Sequence, residues 1–273
     1  MTPSEWQPVH GTLMTSDPIE AYGGVSFPVE TLQQLAQQIN TSGVSHHVDH
    51  NLSKPIRMRG FEAFVESRDD GIHEIKFRAE IHEGDRHWLE SHPGVSATIT
   101  TPLARDRKKA SNEGASMRIS ADHAWFDDDA LIEAEDQFIT QGVGRELIQV
   151  ERAYQFSFVP DPQIFVEVVY PFLLSIGSSA VWDGIKKVFG HRRTPSGADV
   201  GTLTSINMSV VNGDRSLNAV VTTSDEVVAQ RAMESLDQAL TSFFQNSQGS
   251  RPEGNGKSVT VWNDESRNWT PPV

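Results

Sequence analysis

The chain has no cysteine and comparatively few basic residues. Without cysteine it cannot form disulfides, iron–sulfur clusters or thiolate zinc sites, and it cannot use a cysteine nucleophile. Its 23 lysine and arginine residues are outnumbered by 37 aspartate and glutamate residues, which gives a formal net charge of −14. This balance argues against a general nucleic-acid-binding protein, because phosphates are neutralised by basic patches. It also argues against broad adhesion to anionic lipid.

Long hydrophobic runs are also scarce. The first residues contain no basic segment followed by an apolar one, so we predict no signal peptide there. The longest apolar region covers residues 165–189, and its 15-residue uninterrupted part is shorter than the about 20 residues of a bilayer span. We expect an amphipathic or buried helix with a cationic carboxyl end, and membrane contact is the alternative. The expected location is cytoplasmic.

Hydrophobic periodicity predicts several strands in the first 170 residues, which we interpret as one domain. Residues 59–67 and 73–81 alternate between apolar and polar side chains, and the Asp70-Gly71 sequence between them predicts a β-hairpin. Further strands are predicted at residues 94–101, 116–126 and 145–158. The predicted class is α+β, with flanking helices.

The remaining residues predict a small separate module. We expect a helix over residues 171–193, a linker over 194–202, a β-β-α module over 203–245, and a flexible tail with a short strand over 246–273. The sequence Asn212-Gly213-Asp214 predicts the hairpin of the module, and Ser224 is the expected N-cap of its helix. The apolar stripe of that helix is wide for so small a unit, which favours a homo-oligomer or a protein partner.

The histidines suggest a metal site as one alternative. Nine of the ten lie in the first half of the chain. His47, Asp49 and His50 resemble the first ligand motif of metallo-β-lactamase-like hydrolases, and His92 lies in a faint counterpart of the second. Imidazoles and carboxylates are suitable zinc ligands. Because Ser45 stands where the first histidine of that motif belongs, a zinc-dependent hydrolase remains an alternative, and the main interpretation includes no metal or cofactor.

A serine nucleophile is the other chemistry that the histidines permit. A serine hydroxyl needs a base to accept its proton, and histidine is the usual base. Such groups converge in space, so a histidine before one strand and a serine on a later strand are sufficient. His50 and Ser96 flank the predicted hairpin and meet this condition.

The succession of motifs resembles the prohead (capsid-maturation) proteases of tailed phages, which share a fold with the assemblin proteases of herpesviruses. Residues 50–57 read HNLSKPIR, the DG turn follows at 70–71, residues 94–99 read GVSATI, and residues 155–160 read QFSFVP. The resemblance covers about residues 9–169 and rests on the order of the motifs. It implies a mainly antiparallel, β-barrel-like protease domain over residues 1–170. The segment from 102 to 144 looks like an insertion relative to that pattern.

The resemblance implies the roles of four residues. His50 would be the general base and Ser96 the nucleophile. Gln155 stands where the last strand of the family often carries an acidic residue, and glutamine cannot supply a negative charge. His123 could be the third residue of the catalytic triad (the third member) instead, because assemblin proteases use a second histidine in that role.

The chain is therefore interpreted as a serine endopeptidase of the prohead-protease type, coupled to a C-terminal sensing or assembly module. The expected partners are a protein or peptide substrate and a second copy of the chain or another protein, without nucleic acid. One alternative is a non-catalytic binding or assembly protein on the same fold, which the glutamine at position 155 favours. The other is the zinc-dependent hydrolase around His47, Asp49 and His50.

Overall fold

The computed structural model describes residues 5–42, 47–48, 51–86, 98–103, 115–155, 160–246 and 257–271. Within these residues the chain forms five α-helices and thirteen strands, so the predicted α+β class is confirmed. The residues group into two compact units. One comprises Met1–Thr98 and Gln155–Phe158, and the other comprises Ile99–Tyr154 and Val159–Val273.

The first unit is built on a small antiparallel sheet. Its elements are β1 (Trp6–Thr15), α1 (Val29–Ser42), β2 (His47–Val48), β3 (Asn51–Pro55), β4 (Met58–Ser67) and β5 (His73–His82). Strands β1, β5 and β4 pair in that order, and β2 pairs with β3 in a separate ribbon. The hairpin predicted across Asp70-Gly71 is confirmed. Gly71 supplies the positive φ of 85° that its turn requires.

Helix α1 packs on this sheet through both apolar and polar contacts. Leu32 and Ala36 are buried on its inner face. Near the carboxyl end of α1, the amide of Asn40 accepts a hydrogen bond from the Ala63 N–H and donates one to the Ala63 carbonyl, both at 2.8 Å. The helix is therefore fixed to β4 at a defined position along the strand.

A mixed eight-stranded sheet contains the remaining eight strands. They are β6 (Thr98–Pro102), β7 (Met117–Asp122), β8 (Ile148–Gln155), β9 (Gln163–Val169), β10 (Thr204–Asn212), β11 (Arg215–Thr223), β12 (Lys257–Asn263) and β13 (Asn268–Trp269). The spatial order is β13-β12-β11-β10-β9-β7-β8-β6. The helices of this part are α2 (Asp128–Thr140), α3 (Tyr170–Ile176), α4 (Ser178–Gly190) and α5 (Glu226–Asn246).

The expectation of a mainly antiparallel, barrel-like domain is corrected by this sheet. Three of its strand pairs are parallel: β7 with β8, β9 with β10, and β11 with β12. Each parallel pair is joined by a helical crossover, which is the connection that parallel strands require. In the part of the chain that the structure describes, the strands form open sheets and no closed barrel.

The apolar region around residue 170 differs from its prediction. Residues Gln163–Val169 form strand β9, and the expected single helix over 171–193 is two helices, α3 and α4. They are separated at Gly177, whose φ of 80° interrupts the helical backbone. Among the described residues, no helix combines the length and the apolar character needed to cross a membrane.

The C-terminal β-β-α arrangement has the predicted hairpin. Asn212 pairs with Arg215 across the turn, and Gly213 has a φ of 63°. The expected N-cap at Ser224 is wrong, because the side chain of Asp225 accepts the hydrogen bond from the Val227 N–H at 2.8 Å. Through the parallel pairing of β10 with β9, this hairpin continues the large sheet. The division into a protease-like domain and a C-terminal module stays a prediction, because the two compact units are defined by contacts and not by function.

The wide apolar stripe of α5 is used inside the molecule. Of the predicted stripe, Ala232, Leu236, Leu240 and Phe243 are buried, whereas Val227 is 61% exposed. The helix packs on β11, β13 and α4. These contacts cover a large part of the stripe, and the predicted homo-oligomer or protein partner stays a prediction.

Candidate functional site

Most of the predicted site residues lie outside the described residues. These are His50, Ser96, Asp49 and His92, and of His47 the backbone alone is described, in β2. His123 and Gln155 are described, and the contact grouping assigns them to different compact units. The two are therefore considered separately.

Gln155 is the last residue of β8, and its side chain is fully buried. The Tyr22 hydroxyl accepts a hydrogen bond from the Gln155 N–H at 2.7 Å and donates one to the Gln155 carbonyl at 3.2 Å. The backbone of this position is thus fixed within the first unit. An amide oxygen at such a place can accept the Nδ1–H of an imidazole and orient it, as an asparagine does in Cys-His-Asn proteases. It cannot stabilise an imidazolium with a negative charge.

A serine–histidine hydrogen bond also occurs on the surface of the first unit. Ser67 at the end of β4 and His73 at the start of β5 are joined between Oγ and Nδ1 at 2.8 Å. Ser67 is exposed and His73 is half-buried, next to the turn of the β4–β5 hairpin. An exposed pair of this kind lacks the water exclusion and the oriented donors that activate a nucleophile. We interpret it as a surface contact, and it provides an internal comparison for the predicted Ser96.

His123 directly follows β7, where the backbone leaves the sheet. Its N–H continues the sheet pairing to the Ala153 carbonyl at 2.9 Å, and its ring lies edge-on to Tyr154 with centroids 5.7 Å apart. Nδ1 is buried and has no hydrogen-bond partner in the part of the chain that the structure describes. The nearest carboxylate oxygen, Oδ1 of Asp128, lies 3.8 Å away, which is beyond hydrogen-bond distance. The side chain is 29% exposed, so other atoms of the ring reach solvent.

Asp128 is positioned by the start of α2 and bound by an arginine. The preceding residue, Asp127, caps α2 by accepting a hydrogen bond from the Ala130 N–H at 3.1 Å. Arg152 on β8 binds the Asp128 carboxylate with two nitrogens, and the Nε contact measures 2.7 Å. This bidentate contact lowers the pKa of Asp128 and raises the pKa of Arg152. The carboxylate therefore remains ionised beside His123.

The electrostatic surroundings keep His123 neutral. Burial is the largest influence, and it lowers the pKa of the imidazole. Asp128 and Asp127 act in the opposite direction, while Arg152 and Arg193 lower the pKa further. A neutral imidazole can accept a proton. Among the described residues, however, no serine or threonine hydroxyl is hydrogen-bonded to this ring, so no nucleophile for His123 to activate is in place there.

Two arginines after α4 hold the segment from His123 to Trp125. Arg193 donates from Nη2 to the His123 carbonyl at 2.6 Å and from Nε to the Ala124 carbonyl at 3.0 Å. Its own N–H donates to the Trp125 carbonyl at 2.8 Å. The guanidinium of Arg192 lies 4.7 Å from the centroid of the Trp125 ring. Sequence reasoning read these arginines as the cationic end of a helix and did not connect them with His123.

The described residues offer no alternative metal centre. No group of three or more histidine, aspartate or glutamate side chains among them is arranged to hold a metal ion. The zinc alternative around His47, Asp49 and His50 concerns residues of which at most the backbone is described, so it stays a prediction.

Comparisons of the chain with protein-family models, with curated proteins and with solved structures find no match. The resemblance to prohead proteases therefore depends on the succession of motifs alone.

Proposed function

We propose that the chain is a serine endopeptidase of the prohead-protease type, with Ser96 as the nucleophile and His50 as the general base. The observation that carries this proposal is the order of elements along the chain. The β4–β5 hairpin lies between the two predicted positions, and β8 ends at the third predicted position, Gln155. A protease-like fold for the first part of the chain belongs to the same proposal.

The proposed chemistry is acyl transfer. The imidazole of His50 accepts the proton of the Ser96 hydroxyl while Oγ attacks a peptide carbonyl, and it then donates that proton to the leaving amine. Water, activated by the same imidazole, hydrolyses the acyl-enzyme and regenerates the serine. Backbone N–H groups would stabilise the oxyanion, as they do in other serine hydrolases.

Gln155 is the better candidate for the third member than His123. The contact grouping assigns Gln155 to the unit that spans residues 1–98, whereas His123 belongs to the other unit. The Nδ1 of His123 is also directed to Asp128 within that other unit. A buried amide would orient the base without stabilising its positive charge, so we expect a slow peptidase.

A non-catalytic binding or assembly protein is the second candidate function. The amide at position 155 favours this function, because a protein that has lost catalysis no longer needs an acidic third residue in the site. In this case Ser96→Ala would change no property of the protein. The sensing or assembly role of the C-terminal module, the homo-oligomer and the cytoplasmic location likewise stay predictions.

The test is labelling of the purified full-length chain with a fluorophosphonate probe, followed by intact mass and peptide mapping. We expect one adduct, on Ser96, that disappears in Ser96→Ala and persists in Ser67→Ala. Ser67 is a matched comparison because its hydroxyl is already hydrogen-bonded to a histidine. An adduct on Ser67, or none, would contradict the peptidase. Absence of an adduct together with co-purified zinc would favour the metal-dependent hydrolase instead.

A further inference from the structure

Arg192 and Arg193 are held in an unusual way for surface arginines. Arg192 donates from Nη1 to the Thr204 hydroxyl at 3.2 Å and from Nη2 to the Thr202 carbonyl. Arg193 is held by the carbonyls of His123 and Ala124. Among the described residues neither guanidinium has a carboxylate within ion-pair distance, whereas Arg152 beside them is paired with Asp128. Both guanidiniums are thus fixed in place while their charge is not neutralised.

The support under these arginines is rigid. Trp125, on which Arg192 stacks, is fully buried, and its indole N–H donates to the Pro160 carbonyl at 2.6 Å. Thr204 at the start of β10 is also fully buried. A guanidinium on such a support loses little further conformational freedom when it binds a ligand. Arg193 itself is exposed and Arg192 is half-buried, so both remain reachable from solvent.

The half-buried position of Arg192 has an energetic consequence. Burial lowers its pKa, and no acid among the residues with a described position offsets the effect. A cation that is partly removed from water without a counter-charge is destabilised, and an anion that binds it recovers this energy. The acids nearest to the segment are already engaged, since Asp128 binds Arg152 and Asp122 accepts the Ala124 N–H at 3.0 Å.

We infer that Arg192 and Arg193 form a recognition site for the phosphate group of a small ligand. Two guanidiniums that contact the same segment, residues 123–125, match a phosphate dianion better than a single carboxylate, because each keeps N–H donors beyond the two that it gives to the protein. The buried face of Trp125 leaves no room for an aromatic ring of the ligand to stack there. The ligand is therefore recognised through its phosphate. This site is independent of the proposed peptidase, since it uses none of the residues assigned to that reaction.

His123 reports on the occupancy of this site. Arg193 contributes to the low pKa of the His123 imidazole, and its guanidinium is bonded to the His123 carbonyl. A phosphate dianion on Arg193 would offset that positive charge. Asp127, Asp128 and Arg152 also face the ring, but ligand binding leaves their charges unchanged. The pKa of His123 should therefore rise when phosphate binds.

Titration calorimetry of the full-length chain with inorganic phosphate and with pyrophosphate, at constant ionic strength, tests the inference. Acetate serves as the carboxylate comparison. Arg192→Gln and Arg193→Gln should each weaken binding by about 10- to 100-fold, the usual effect of losing charged hydrogen bonds. Arg145→Gln is the matched control, because Arg145 is an exposed arginine 3.5 Å from the Glu135 carboxylate and its loss changes the net charge equally.

The result that would overturn the inference is binding that is undetectable for both anions, or equally weak in all three variants, or no stronger than that of acetate. Stronger binding of pyrophosphate than of phosphate would indicate a diphosphate ligand, and equal binding a monophosphate. If an arginine variant fails to fold by circular dichroism, the histidine resonances of the wild-type protein decide the question. Phosphate must then raise the pKa of His123 above the value that the same titration gives in chloride at equal ionic strength.

Discussion

Gly184 in α4 is the position at which one methyl group should have the largest effect on the second unit. A Cβ at this residue would lie 2.2 Å from Cζ and 2.3 Å from Cε2 of Phe138, which belongs to α2. Carbon atoms in contact are normally about 3.5–4.0 Å apart. The Phe138 ring is fully buried, so it cannot move aside into solvent. Gly184→Ala must therefore force the two helices apart or displace the ring.

The magnitude follows from two opposing effects. Replacing glycine by alanine within a helix gains about 1 kcal/mol of helix propensity. Overpacking a filled core costs about 1–3 kcal/mol, and the severe overlap here indicates the upper part of that range or more. We therefore expect Gly184→Ala to lower the free energy of unfolding by about 1–2 kcal/mol. Urea denaturation followed by far-UV circular dichroism would measure it.

Gly190→Ala is the matched control for this prediction. Gly190 is the last residue of the same helix, and a Cβ there would have no neighbour within 4 Å. We expect this variant to be neutral or slightly more stable than the wild type. If Gly184→Ala were as stable as Gly190→Ala, the close contact of α2 with α4 would be refuted. That contact also fixes the start of α2, with Asp128, relative to the arginines after α4.

Three further predictions concern charged and polar groups. Asp128→Asn should lower the pKa of His123 still further, because it removes a charge that raises this pKa, and histidine NMR titration would show it. Asp85→Asn should destabilise the protein by about 1.5–3 kcal/mol in urea denaturation, since the Asp85 carboxylate accepts hydrogen bonds from the Arg57 backbone and guanidinium. Gln155→Glu should speed fluorophosphonate labelling by at least about tenfold, because a carboxylate can stabilise an imidazolium.

Each of these predictions has a control or a contradicting result. Glu133→Gln removes the partner of His191 and should leave the pKa of His123 unchanged. Burial is the largest single influence on the pKa of Asp85 and raises it, but the hydrogen bonds and charge of Arg57 together lower it below its ordinary value. This stabilisation is therefore present above about pH 4 and is lost as the pH falls further. Equal stability of wild type and Asp85→Asn at pH 7 would refute that contribution. For Gln155→Glu, labelling slower than in Gln155→Ala would contradict the assigned role.

The pH dependence attributed to His123 has the same direction as that of Asp85, but it lies at a higher pH. Its folded-state pKa lies below its ordinary value, so the unfolded chain binds a proton more readily. The folded state is therefore destabilised as the pH falls through about 6.5, the ordinary histidine pKa. His123→Gln should reduce this loss, which denaturation curves at pH 7.5 and pH 5.5 would show.

Local patterns explain which parts of the fold could be predicted from the sequence. The β4–β5 and β10–β11 hairpins combine alternating side chains with an Asp-Gly or Asn-Gly turn, and both signals lie within a few residues. Strand β9 was missed because Gln163–Val169 joins a continuous apolar run, and such a run does not distinguish a buried strand from a buried helix. The parallel pairings follow from crossovers between distant segments, which periodicity cannot reveal.

The candidate site also combines a local sequence signal with contacts between distant segments. His123 was singled out from the sequence, but its neighbours were not, because Arg152 lies 24 residues from Asp128 and Arg193 lies 70 residues from His123. The sheet and the α2–α4 packing bring these groups together. The basic pair at 192–193 was recognised in the sequence as the cationic end of a helix. That pattern does not indicate that carbonyl oxygens, and not carboxylates, hold both guanidiniums.

The proposed peptidase is tested most directly by the rate at which a fluorophosphonate modifies Ser96. This rate should be compared among the wild type, His50→Ala and His123→Ala. We predict that His50→Ala slows the modification by about 10²–10⁴-fold, the usual contribution of a general base. His123→Ala should leave the rate close to that of the wild type, since its ring belongs to the separate cluster with Asp128. A rate that falls in His123→Ala and not in His50→Ala, or a Ser96 that is not modified at all, would contradict the proposal.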